Sequence, residues 1–233
     1  MKRCQILDGS WLKLIAVITM LADHTASTLL RNDYTVLLSL GGRTLYLYEA
    51  MRYVGRISFP IFVFLLVEGF LHTRNIKRYA GTLLVFALLS EIPWNLEHTG
   101  RLWMPGSQNV LFTLLLGLLG IWVLRDAQGP WKKAGLLLGL LLASMVQRAD
   151  YGTTGFGFIL LMYLLRDQQL PRAVVGSCFL DSPLRSGLAF IPISLYNGKR
   201  GFIGKGWLKY LFYLAYPAHM LILFWIRKTT IGY

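Results

Sequence analysis

Lys13, Asp23 and His24 sit in one apolar run, WLKLIAVITMLADHTASTLL, over residues 11–30. About 20 apolar residues at roughly 1.5 Å each are enough to cross a bilayer. An acid or imidazole at that depth costs about 2–3 kcal/mol on insertion scales unless a partner compensates it. Residues that carry such a cost are candidates for chemistry. At about 100° per residue, the separation of Lys13 and His24 returns them to one helix face, about 16 Å apart along the axis. A cation at one membrane surface with an imidazole buried behind it suits a long ligand with an anionic tail. The simpler reading is that Asp23 and His24 only hydrogen-bond neighbouring helices.

Further groups of this kind recur along the chain. In YEAMRYVGRISFPIFVFLLVEGFLH, Arg52 and Arg56 share a helix face and need carboxylates, which Glu91, Asp23 or Glu49 could supply. Snorkelling to headgroups is the alternative, and is easier for Arg52 than for the deeper Arg56. In LLSEIPWNLEH, Glu91, Asn95 and His98 form one stripe. Pro93 frees the carbonyl of Leu89, where a cavity-lining kink is expected, and Glu91 could equally be the ion-pair partner of Arg56. Gln108 and Asn109 could cap the helix that follows them, with Thr113 one turn further in. In LYNGKRGFIG, Asn197-Gly198 favours a turn that projects Lys199 and Arg200, cations able to hold phosphate together with backbone N–H groups. In YLFYLAYPAHMLILFWI, His219 follows Pro217 closely and could satisfy the carbonyl of Tyr213 that the proline frees.

The elements that must position these groups are apolar helices. The 233 residues are 55% hydrophobic and only 15% charged, against about a quarter charged in soluble domains. The expectation is an all-α polytopic membrane protein: one integral membrane domain over residues 1–233, a bundle of eight or nine helices with several short or kinked spans. The spans read as 11–30, 46–71, 79–98, 109–125, 134–148, 152–166, 171–183, 186–197 and 207–226. The net charge of +13 lies in loops between spans, so topology and anionic headgroups account for it rather than nucleic acid. Lys2, Arg3 and Lys13, then Arg74, Lys77 and Arg78, then Lys199, Arg200 and Lys205 fall on one side, which puts the N-terminus in the cytoplasm. The same bias favours two short spans over residues 171–197 rather than one. Cys4 and Cys178 are too few for a disulfide framework or a metal site. Counted inward at the helical rise, His24, Glu91 and His219 lie about 18–20 Å deep and Arg56 about 24 Å. Costly groups on four helices thus share one layer.

The pieces LKLIAVITMLADHT, VGRISFPIFVFLLVEGFLHTRN, LLSEIPWNL, QNVLFTLLLGL, LYNGKRG and YLFYLAYPAHMLIL together resemble the TraX family over nearly the whole chain. That family is named for a protein that acetylates the N-terminus of conjugative pilin. It is similar in turn to membrane acyltransferases that modify surface sugars and to the lysosomal heparan acetyltransferase. In the sugar-modifying enzymes the first span carries a basic residue, ten others and a His, which Lys13 and His24 match. Their arginine pair is echoed by Arg52 and Arg56, with one more residue between.

The resemblance implies a multi-pass protein of the bacterial inner membrane that moves an acetyl group from cytosolic acetyl-CoA to an acceptor on the outer side. The acceptor would be a peptide or pilin N-terminus, or a surface sugar hydroxyl or amine; neither a metal nor nucleic acid is needed, and membrane lipids are the surroundings. On that scheme Lys13, Lys199 and Arg200, with Tyr196 and Asn197, hold the coenzyme. His24 acts as general base or acyl carrier, with Asp23 or Glu91 stabilising the imidazolium. Arg56 stabilises the oxyanion, and Arg52, Asn95, Asn109 and His219 complete the acceptor side. A proton-coupled transporter with Asp23, His24 and Glu91 as a relay is the second reading. A structural assembly subunit is the third.

Overall fold

A computed structural model describes residues 5–31, 33–40, 43–180, 183–202 and 207–230; Lys2, Arg3 and Lys205 of the expected inner segments lie outside these. Among the described residues the chain forms α1 (Gly9–Leu29), the strands β1 (Val36–Leu40) and β2 (Arg43–Tyr46), α2 (Leu47–Gly55) and α3 (Ser58–His72). There follow α4 (Ile76–Thr99), α5 (Val110–Asp126), α6 (Pro130–Gln147), α7 (Gly152–Leu164), α8 (Gln169–Phe179), α9 (Pro183–Gly187), α10 (Phe190–Ser194) and α11 (Leu208–Thr230). The all-α class expected from the sequence is what the chain adopts. Among the described residues two stretches, Gly9–Leu29 and Leu47–His72, are long and apolar enough to cross a membrane by length and composition.

Prolines explain where the expected spans divide. The span read over 46–71 is broken at Arg56–Ile57, where Ile57 N–H donates to Val54 O at 3.2 Å, a tighter turn than α. Pro60 has no N–H for the carbonyl of Arg56, and its ring clashes there. Pro192 acts likewise on Leu188, between α9 and α10, in the span read over 186–197. Pro93 lies inside α4, which runs through it unbroken. The outer loop read between the first two spans carries an antiparallel hairpin, with Val36 opposite Tyr46, Leu40 opposite Arg43, and a bulge between Val36 and Leu38.

α8 and the α9–α10 pair form a short antiparallel hairpin. Phe190 packs on Gly176, Ser177 on Gly187, and Gln169 Nε2 donates to Ser194 O at 3.4 Å. The chain therefore reverses direction between α8 and α9–α10 rather than running as one continuous helix over 171–197. The 11 residues of α8 reach only about 16 Å, well short of the roughly 30 Å hydrocarbon layer.

The core lies around α3, α5 and α7. Ile61, Val63 and Phe70 of α3 are buried against Leu118 and Ile121 of α5 and Phe158 and Ile159 of α7. Gly117 and Gly120 let α5 close onto Ile159, Leu160 and Phe156, and Gly155 admits Thr113 and Phe59. α6 is the opposite case: Ser144 is its buried residue, while Leu136, Leu138, Leu142, Met145 and Val146 are exposed.

Gly117→Ala forces a methyl into Ile159 and is expected to cost about 1–3 kcal/mol, lowering the melting temperature by several degrees. Gly135→Ala on α6 meets nothing within 4 Å and is expected to leave the melting temperature unchanged or slightly raised. Thermal unfolding of the two purified variants checks both.

Candidate active site

The basic mouth is built by the two ends of the chain. Asp8 caps α1, its Oδ1 accepting from Ser10 N–H at 2.9 Å and Trp11 N–H at 3.1 Å. Just before that cap, Leu7 pairs with Tyr196 as a parallel bridge, and Gly9 N–H donates to Lys199 O at 2.8 Å. Ser10 Oγ donates to Arg200 O at 3.0 Å. Gly198 and Gly201 take φ of +78° and +71°, and a side chain at Gly201 would collide with Asp8. The LYNGKRG turn is thereby fixed against the start of α1, with Arg200 Nη2 donating to His72 O at 3.1 Å.

One cavity of about 840 Å³ joins this mouth to the buried polar layer. Lys13, Arg74, Arg78 and Arg200 line its basic end; Asp23, His24, Arg52, Arg56, Asp150 and Tyr151 line the other. Phe59, Phe62, Leu65 and Tyr213 line it as well. Of the residues expected to hold a coenzyme, Lys13, Tyr196 and Arg200 line the cavity. Asn197 and Lys199 serve the turn itself: Asn197 Oδ1 accepts from Lys199 N–H at 2.9 Å, so that N–H is not available to a phosphate.

In the buried layer, Arg52 Nη1 donates to Asp23 Oδ2 at 2.7 Å. Asp23 packs directly on Gly55, and its Oδ1 is buried with no hydrogen-bond partner among the described residues. Arg56 hydrogen-bonds the Tyr151 hydroxyl, with Asp23 and Asp150 nearby. Tyr151 has φ of +63°, a left-handed conformation that costs a non-glycine residue about 1–3 kcal/mol and recurs at functional sites. It stacks on Phe59 with ring centroids 3.7 Å apart, and Thr113 Oγ1 donates to Asp150 O at 2.6 Å. Gln108 and Ala149 bridge the same turn to the start of α5.

His24 is held by a residue the sequence placed elsewhere. His24 Nδ1 and His219 Nε2 stand 2.8 Å apart, and His219 Nδ1 lies 2.8 Å from Ala215 O. His219 thus uses the carbonyl of its own turn rather than that of Tyr213. Nor does Glu91 stand beside His24 or Arg56. Asn109 Nδ2 donates to Glu91 Oε2 at 2.7 Å and to Ala87 O at 2.9 Å, while Asn109 Oδ1 caps α5 through Leu111 N–H. Asn95 hydrogen-bonds Glu91 and donates to Leu102 O at 3.5 Å. Glu91, Asn95 and Asn109 therefore form a separate cluster between α4 and α5, outside the cavity lining. The reason is register: Asn109, as the cap of α5, meets the Glu91 face of α4. An Asp23–His24–Glu91 proton relay is not assembled for the same reason.

Sequence reasoning missed Glu97, Asp150 and Tyr151. Glu97 is buried, accepts from Thr28 Oγ1 and pairs with His98, which stacks on Trp94 at 3.6 Å. It lies off the stripe of Glu91, Asn95 and His98, and Asp150–Tyr151 lie between helices. The signal available was an acidic residue, Asp150, in the short gap between two apolar runs.

The Asp23–Arg52 side chains are 17% and 26% exposed, so a fully buried pair's 3–5 kcal/mol is discounted to about 1–3 kcal/mol for removing one partner. Arg52→Ala is expected to lose that amount and Asp23→Ala with Arg52→Ala to lose less than the sum. Chemical denaturation of both single variants and the double variant measures the coupling.

Comparison with known proteins places the chain in a family. The chain matches the family described as TraX protein over residues 8–227. It is 31% identical over 242 aligned positions to the probable fimbrial assembly protein FimC, serogroup H1, of Dichelobacter nodosus, covering 91% of this chain and 92% of that protein. No solved structure matches it. A family match over nearly the whole length assigns the chain: it belongs to the TraX family.

Proposed function

We propose that this chain is a membrane-embedded acetyltransferase that draws on acetyl-CoA at the cytosolic face and modifies an acceptor reached from the outer face. The observation that carries the reading is the single cavity running from the cations Lys13, Arg74, Arg78 and Arg200 to His24. Membrane embedding of the whole bundle is supported by its exposed apolar surface. Leu84, Val85, Leu88, Leu89 and Ile92 of α4 and the leucines of α6 face outward, where water would penalise them. A cytosolic N-terminus is supported by the basic residues gathered around the mouth.

Acetyl-CoA fits the cavity in kind. Its phosphates meet the four cations, which attract them as charge-assisted donors. Its uncharged arm passes between Phe59, Phe62, Leu65 and Tyr213. The distance to cover along α1 is about 16 Å, which a flexible arm spans. His24 Nε2 has no partner among the described residues and is open to receive a proton.

The chemistry then balances. The acceptor nitrogen or oxygen bonds to the thioester carbonyl carbon while its proton moves to His24 Nε2. Negative charge gathers on the carbonyl oxygen, opposite the Arg56 guanidinium that Tyr151 holds in place. The C–S bond breaks, and the departing sulfur takes the proton back from His24. A variant with acetyl carried on His24 reaches the same products in two steps. The relative's name, a probable fimbrial assembly protein, supports a fimbrial subunit as the acceptor, ahead of a sugar hydroxyl or amine.

Purified protein in liposomes, given radiolabelled acetyl-CoA and a peptide amine, sugar amine or sugar hydroxyl, is expected to label one of the three. His24→Ala should lose about 100-fold or more. No thioester cleavage with any acceptor defeats the proposal. The coenzyme end is tested separately. Lys13→Gln and Arg200→Gln should each raise KM for acetyl-CoA by about 10- to 100-fold, from loss of a charged hydrogen bond of about 1.5–3 kcal/mol. KM for S-acetyl-pantetheine, which lacks the nucleotide, should not move.

A further inference from the structure

We infer that His219 is a positioning residue that fixes the tautomer of His24, leaving Nε2 of His24 as the base; the inference rests on the reading of His24 given above. The argument needs only the hydrogen-bond inventory of the two rings. A backbone carbonyl accepts and never donates, so the contact of His219 Nδ1 with Ala215 O at 2.8 Å requires the proton on His219 Nδ1. A neutral His219 then has a lone pair on Nε2. The 2.8 Å gap between His219 Nε2 and His24 Nδ1 holds one proton, which must therefore belong to His24 Nδ1. A neutral His24 with its proton on Nδ1 has its lone pair on Nε2, and no described residue bonds that atom.

The chain of assignments runs from a helix carbonyl to the reacting nitrogen: Ala215 O orders His219, and His219 orders His24. A carboxylate usually fills the orienting place beside a catalytic histidine. Here both candidates are engaged elsewhere, Asp23 by Arg52 and Glu91 by Asn109. Buried Glu97 is likewise taken, by Thr28 and His98. His219 itself is 6% exposed and absent from the cavity lining, so it acts through His24 and not on a ligand.

The direct test is nitrogen NMR on protein labelled at histidine nitrogens, without substrate. The chain has 4 histidines, and the His24 signals are assigned by their loss in His24→Gln. Wild type is expected to show His24 protonated on Nδ1 with a bare Nε2. His219→Ala should lose that preference, whereas His219→Gln, whose amide oxygen accepts from His24 Nδ1–H, should restore it. In acetyl transfer, His219→Ala should lower kcat about 10- to 100-fold with KM for acetyl-CoA unchanged, and His219→Gln should recover most of the loss. His24 protonated on Nε2 in wild type, or an unaltered tautomer in His219→Ala, overturns the inference. The NMR arm needs no turnover. The expected tautomer together with no acetyl transfer by wild type would therefore defeat the transferase reading and leave the histidine pair standing.

Discussion

Two imidazoles at hydrogen-bonding distance can share only one proton, and the carbonyl of Ala215 decides on which ring it resides. Everything around the pair serves to keep that arrangement dry and fixed. His24 rides on α1 and His219 on α11, and Tyr216 on the same helix packs edge-on to His24 with ring centroids 6.3 Å apart. In an apolar bundle each polar group needs a partner within reach, because water is not there to replace a missing one. The pairs Asp23–Arg52 and Arg56–Tyr151, and the Thr28–Glu97–His98 chain, answer that requirement on other helices of the same layer.

The apolar frame sets how rigidly these pairs are held. Glycines at the α5–α7 contact bring the helices close enough for Ile159 and Phe156 to fill the space a side chain would take. The same closeness carries Asp150 and Tyr151, at the start of α7, into the cavity wall. Gly55 does for Asp23 what Gly117 does for Ile159: it removes a side chain so that the partner can sit on the backbone. Pro60 breaks the helix at Arg56, so the two arginines do not continue on one straight helix. Arg52 meets Asp23, while Arg56 meets Tyr151.

At the opposite end, the mouth depends on strand-like pairing between the first residues of the chain and the turn before α11. The Leu7–Tyr196 bridge and the Gly9–Lys199 hydrogen bond close a loop over almost the whole sequence. They place Arg200 over the start of α1, within the same cavity wall as Lys13. The cations at the mouth thus come from α1, the α3–α4 connection and the turn before α11. An anionic ligand would tie these three segments together, while the buried layer ties α1, α2, α4, α7 and α11.

The sequence by itself determined the helical class and the position of nearly every helix. Apolar periodicity and proline rules are local, and the eleven-residue spacing of Lys13 and His24 is a property of one helix. Counting along each helix also gave the expectation that polar groups on several helices share one layer. Which of those groups meet was decided only by the tertiary structure, because helix rotation and pairing are set by side-chain packing between segments far apart in the chain. Glu91 turns to Asn109, and His219 turns to His24. Asp150, Tyr151 and Glu97 join the site through glycine contacts and a helix register that no single segment encodes. Depth is written along the chain; direction is written between chains of residues that meet only after folding.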